Sequence, residues 1–134
     1  MSQENVELAR RVFEAYARDG LDAVLPFVAP DAVFYPDPNW MEEREYHGRE
    51  GFAAFDRTQK EVFGEDFAIE VQEIRVVGPR VLVLTEAVGR ATGSGVPIRQ
   101  PAAHVLANFR DGMIGEDRTF LDWGAAFTFV GLEE

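Results

Sequence analysis

From Phe67 to Leu121 the chain holds four strand-like segments separated only by short turn signals, with no stretch at helical spacing between them. Strands joined by gaps this short pair antiparallel, because a parallel crossover needs roughly a dozen residues or more. Phe67, Ile69 and Val71 alternate with polar residues, then Ile74 and Val76 alternate in the opposite phase. One extra residue near Gln72-Glu73 therefore predicts a bulge that bends the first of these strands. Gly78-Pro79 turns the chain into Val81 to Val88, and Gly93-Ser94-Gly95 turns it again into a strand from Ile98 to Phe109. Arg110-Asp111-Gly112 carries the Asp-Gly signal of a tight hairpin and leads into a last strand from Met113 to Leu121. Asp122 is placed to cap a short closing helix, Trp123 to Val130.

The first half reads differently. Val6, Ala9, Val12, Phe13 and Tyr16 recur at helical steps among charged residues, the pattern of an amphipathic helix that Ser2 caps and Gly20 ends. A second, short helix is expected from Asp22 to Val28, where Pro30 breaks the pattern, and then a strand over Ala32-Val33-Phe34-Tyr35. The run from Pro36 through Trp40 to Glu45 is interrupted by proline and reads as a mobile loop at a mouth. From Gly48 to Phe63 the residues Phe52, Phe55, Val62 and Phe63 return to helical spacing, and Gly64 sits where a left-handed cap is needed. This order makes an α+β layer, a strongly curved antiparallel sheet closed on one side by helices, and not a doubly wound sheet. The 134 residues read as a single domain, whose apolar content of 46% includes the eleven Phe that fill a core.

Charge and cysteine content narrow the function classes. Lys and Arg number 13 against 24 Asp and Glu, a formal net charge of −11, and the cations are scattered. That field repels phosphate backbones and anionic surfaces, so neither nucleic acid nor a membrane is an expected partner. No segment approaches the roughly 20 apolar residues of a membrane span, and Met1-Ser2-Gln3-Glu4-Asn5 lacks the basic start and apolar run of a signal peptide. With no Cys, thiol chemistry is excluded and a cytoplasmic location is expected. His47 opens a helix and has no carboxylate cluster at ligand spacing with His104, so no metal is expected.

Local sequences carry a further signal: Ala15-Tyr16-Ala17-Arg18-Asp19-Gly20-Leu21-Asp22, Ala29-Pro30-Asp31-Ala32-Val33, Tyr46-His47-Gly48-Arg49-Glu50-Gly51, Gly93-Ser94-Gly95-Val96-Pro97, Ala103-His104-Val105, Phe109-Arg110-Asp111-Gly112 and Leu121-Asp122. In this order and spacing the chain resembles the nuclear transport factor 2-like superfamily, and within it the SnoaL-like and ketosteroid-isomerase-like small proteins. The resemblance implies a cone-shaped, cystatin-like α+β barrel wrapped around N-terminal helices, a pocket at its wide end, and a homodimer through the outer sheet face. Function does not follow, since the fold serves isomerases, cyclases, dehydratases, epoxide hydrolases and non-catalytic binders.

Asp37 follows Val33 and Tyr35 on one side of the first strand, and Asp37-Pro38 resembles the Asp-Pro of ketosteroid isomerases, whose Asp is the general base, with Pro36 as one extra residue. The alternative is an Asp that caps a turn between prolines. The resemblance would place that enzyme's two acidic donors at Val12 and Val105, so its steroid chemistry is not expected. His104 stands mid-strand on one face with Leu106 and Asn108. A pocket on that face makes His104 a base or donor and Asn108 a ligand contact, whereas the opposite placement leaves His104 paired on the outer surface. Glu116 and Arg118 share a face of the last strand and read as a solvated ion pair. No strand carries Arg-x-Asp, which the fold's epoxide hydrolases use to activate water.

Tyr16 is placed to donate to a ligand, and Tyr35, Trp40, Phe52, Phe55, Phe120, Trp123 and Phe127 are the other rings expected around the cavity. The chain is thus expected to bind a small apolar or aromatic molecule through Tyr16, Tyr35, Trp40, Phe55, Asn108 and Phe120. If it is an enzyme, Asp37 or His104 carries cofactor-free proton transfer in an isomerisation, cyclisation or dehydration. The rival reading is a non-catalytic binding or dimeric interaction module.

Overall fold

The computed structural model describes residues 2–39 and 44–132. The Ser2 side chain, expected to cap the first helix, and Trp40 to Glu43 of the proline-rich run lie outside the described residues. Helix α1 (Ser2–Asp19) and the single turn α2 (Leu21–Val24) form a hairpin, continued by a tighter turn over Leu25–Phe27. Pro26 suits this tighter turn and shortens the second helix relative to its expected end at Val28. Strand β1 (Val28–Tyr35) then starts four residues before the Ala32 expected from the apolar pattern, taking in Pro30 and Asp31. The short strand β2 (Tyr46–His47), which no sequence signal announced, leads into α3 (Gly48–Phe63).

The sheet is completed by β3 (Ala68–Val77), β4 (Arg80–Arg90), β5 (Pro97–Ala107) and β6 (Ile114–Phe120), before α4 (Trp123–Val130) closes the chain. Its order is β2-β1-β6-β5-β4-β3, six strands in a curved, unclosed sheet. The four consecutive strands pair antiparallel as expected, and the register of β3 against β4 shifts between Val71 and Glu73, at the anticipated bulge. One pairing is parallel: β1 lies beside β6, which the chain reaches only after α3 and three strands. In the turn after β5, Asp111 (φ 53°) and Gly112 (φ 71°) both take positive φ, the requirement of a primed hairpin turn. The Asp122 carboxylate accepts from the Gly124 N–H at 2.9 Å, the expected cap of α4.

The two sheet faces bury different sets. Val81, Val83 and Leu106 pack on Leu8, Ala9, Val12 and Phe13 of α1, on the concave face. Leu82, Leu84, Ala103 and Val105, the alternate residues of the same strands, pack on Ala126 and Phe127 of α4. The helices are therefore not confined to one side, because the terminal helix covers part of the outer face. Gly89 permits the close approach that holds α3 down: a Cβ there would stand 2.2 Å from the Phe63 carbonyl oxygen.

Candidate functional site

Between the concave face and helices α1 and α3 the packing leaves a cavity of about 80 Å³, room for several waters or a small organic group. Its wall is mostly apolar, with Phe13, Phe34, Phe52, Phe55 and Leu106 among the residues that form it, and among the described residues five polar side chains enter it: Tyr16, Asp56, Gln59, His104 and Asp117.

His104 comes from β5 on the same face as Leu106, so the concave face is the one that lines the cavity. The register of β5 against β6 puts His104 opposite Thr119 and Leu106 opposite Asp117, which makes Asp117 the diagonal neighbour of the imidazole. His104 Nδ1 lies 3.0 and 3.2 Å from the two Asp117 oxygens. Phe13 packs edge-on against the ring at 5.2 Å and limits its rotation. With Nδ1–H donated to the carboxylate, Nε2 of the neutral imidazole carries the free lone pair. The side chains are 9% and 13% exposed, so the pair is held away from bulk water.

The second polar group joins the helices. Tyr16 Oη donates to Asp56 Oδ1 at 2.5 Å, and Lys60 Nζ approaches Asp56 Oδ2 at 3.3 Å. Burial, then the hydrogen bond and negative charge of Asp56, hold the Tyr16 phenol well above its ordinary range, so it keeps its proton. Tyr16→Phe leaves Asp56 with Lys60 alone and is expected to cost about 1.5–3 kcal/mol, the worth of a hydrogen bond to a charged group. A denaturant titration of the variant reads this directly, and an unchanged midpoint would show that the pair contributes nothing to folding. Beside this group, Gln59 is 8% exposed on the buried stripe of α3 and has no hydrogen-bond partner among the described residues.

Of the residues singled out from the sequence, Tyr16, Phe55 and His104 meet in this cavity, together with Phe52. Asp37 stands elsewhere: its carboxylate accepts from the Asn39 N–H and the Leu121 N–H, both at 2.8 Å, and ties the end of β1 to the end of β6. Asp37→Ala is expected to lower stability by about 1–3 kcal/mol, since two amides lose their acceptor, while ligand binding in the cavity persists. Urea unfolding with a parallel binding titration checks both halves. Asn108 takes φ 55°, leaves the strand alternation, and donates to Glu116 at 3.1 Å on the exposed surface. Tyr35 lies under the Arg118 guanidinium, 4.0 Å from ring centroid to carbon, on the outer face. Phe120, with Trp123 and Phe127 of α4, belongs to the outer-face core and not to the cavity, and Phe120 meets Phe129 at 5.3 Å. Glu116 and Arg118 do pair, at 3.8 Å, but Arg118 is also held against Tyr35 and Phe129. Trp40 lies outside the described residues.

Sequence reasoning missed Asp56, Gln59 and Asp117. Among the described residues no three acidic or histidine side chains stand close enough to hold a metal ion, and no helix is long and apolar enough to cross a membrane.

The sequence profile of the SnoaL-like domain family matches residues 9–116. No curated protein matches the chain. Among solved structures, a protein of Jannaschia sp. CCS1 provisionally assigned as a SnoaL-like polyketide cyclase is 24% identical, with 99% of this chain and 95% of that one covered at a TM-score of 0.74. TerC, co-crystallised with polyporic acid, is 17% identical, with coverage of 96% and 98% and a TM-score of 0.75. An NTF2-like protein of unknown function from Burkholderia pseudomallei is 22% identical, with coverage of 95% and 97% and a TM-score of 0.75. At these identities the likeness establishes the nuclear transport factor 2-like fold.

Proposed function

Because the chain belongs to the SnoaL-like domain family, we propose that it binds a small, largely apolar or aromatic molecule in the concave-face cavity and moves a proton on it without a cofactor. His104 Nε2 is the base and Asp117 the group that fixes its tautomer and balances the imidazolium formed. The proton passes from a ligand carbon or hydroxyl to Nε2, and returns to another ligand atom in an isomerisation or ring closure, or to a departing hydroxyl in a dehydration. What supports this reading is one observation: an imidazole whose Nδ1 is occupied by a carboxylate at 3.0 Å in a wall otherwise mostly apolar. A carboxylate behind a histidine is the arrangement by which a weak base is held ready for proton transfer. The neighbours' co-crystallised polyporic acid and provisional cyclase assignment agree with a small-molecule pocket.

The same reading includes a cytoplasmic, cysteine-free homodimer. Such a dimer would use the outer sheet face beyond α4, where Arg99 pairs with Glu70 and Glu86 on the surface.

The test is a thermal-shift screen of small uncharged ring compounds, followed by NMR of each hit in deuterated water. Uptake of deuterium at a ligand carbon, lost in His104→Gln, supports the enzyme. Hits that bind and never exchange or react would leave a non-catalytic binding protein.

A further inference from the structure

The five polar side chains of the cavity differ in what they have left to give. Tyr16 has one hydrogen and donates it to Asp56. His104 gives its Nδ1 hydrogen to Asp117. Asp56 and Asp117 are acceptors only, and Lys60, which pairs with Asp56, lines a separate surface depression with Arg57 and Arg90. What a bound molecule meets is therefore acceptor capacity at Tyr16 Oη, His104 Nε2 and the carboxylates. The exception is Gln59. The residue is 8% exposed and borders the cavity from α3, and its amide has no protein partner among the described residues. An amide without a protein partner, on a side chain that is otherwise largely buried, is completed by a bound water or a ligand.

We propose that Gln59 is the specificity-determining residue of this site: its Nε2–H donates to an uncharged carbonyl oxygen of the ligand, across the cavity from His104. This rests on the proton-transfer reading for its chemistry, in which the carbon next to that carbonyl loses its proton to His104 and the charge that develops on oxygen is met by the Gln59 amide. Among the described residues, two carboxylates on the wall and one free donor group exclude an anionic ligand such as a carboxylate or phosphate, which needs several donors or a cation. The ligand class is a small uncharged ketone or aldehyde with an acidic neighbouring C–H.

The experiment compares the native protein, Gln59→Leu, Gln59→Glu and His104→Gln. The probes are cyclopentanone with an isotopically labelled carbonyl and, as its charged counterpart, cyclopentanecarboxylate. Dissociation constants are read by titration, the bound carbonyl by its infrared stretch, and proton transfer by deuterium uptake beside the carbonyl. The native protein is expected to bind the ketone, lower its stretching frequency and reject the carboxylate. Gln59→Leu is expected to remove the frequency change and weaken the ketone about tenfold or more. Gln59→Glu keeps the shape of the side chain and, when ionised, has no donor, so it should behave as Gln59→Leu does even if one of the two folds poorly. An unmoved stretch in the native protein, an equal change in both variants, equal affinity for the carboxylate, or no ketone binding each overturns the proposal. A carbonyl change that depends on Gln59 without deuterium uptake leaves Gln59 as the reader and removes His104 as base. Uptake that depends on His104 and ignores Gln59 does the reverse.

Discussion

His104→Gln is expected to slow proton transfer on the bound ligand by about 10²- to 10⁴-fold, the usual worth of a positioned general base. Glutamine is the informative replacement because it still offers an N–H to the partly buried Asp117, 3.0 Å from the imidazole nitrogen it replaces. Alanine would strand that carboxylate, and the stability lost in doing so would blur the kinetic effect. Ligand affinity should change little, because the apolar wall and Gln59 remain. Asp117→Asn complements this test: an amide can present its N–H to Nδ1, which moves the imidazole hydrogen to Nε2 and turns the base into a donor. Loss of turnover in both variants with binding retained is the pattern of a carboxylate-oriented base. Turnover that survives His104→Gln would remove His104 from the chemistry, whatever the ligand.

More of this site was legible than the residues singled out from the sequence suggest. A hairpin turn of the Asp111-Gly112 type pairs residues equidistant from it, and counting outward sets Leu106 opposite Asp117 and His104 opposite Thr119, the register observed. Asp117 thus followed from the turn once His104 was suspected. On α3, the stripe Phe55, Asp56, Gln59 and Phe63 is the buried one, whereas Val62 is 43% exposed. Two polar residues in a helix stripe that otherwise reads as core are a signal of a lined cavity, and grouping Val62 with the phenylalanines hid it. Other features depend on contacts between distant segments. The parallel pairing of β1 with β6 brings the Leu121 N–H to Asp37, a partner 84 residues away that no local pattern announces. Asn108 seemed to share the His104 face only as long as the strand was extended to Phe109, and its positive φ ends the alternation at Ala107. The rings divided for the same reason: Phe55 and Phe120 were both expected around the cavity, but only the packing of α4 on the outer face tells which of two cores each one fills.

Leu106→Ala should join the stability of the protein to the size of its cavity. Leu106 is 1% exposed, packs in the concave-face core and borders the cavity two residues from His104. Its truncation is expected to cost about 2–5 kcal/mol, through lost burial and unfilled space. The space vacated adds to the existing cavity of about 80 Å³, toward the roughly 150 Å³ at which an apolar protein cavity takes up a benzene ring. Leu82→Ala is the control, since Leu82 is fully buried in the outer-face core under α4 and does not touch the cavity. Both variants should unfold earlier, and only Leu106→Ala should be rescued by benzene. At a ligand concentration a hundred times the dissociation constant, binding to the folded state alone restores about 2.7 kcal/mol. Equal responses of the two variants would mean that the cavity does not reach Leu106. The imidazole would then face packed side chains instead of a ligand, and a base with nothing in front of it has no reaction to carry.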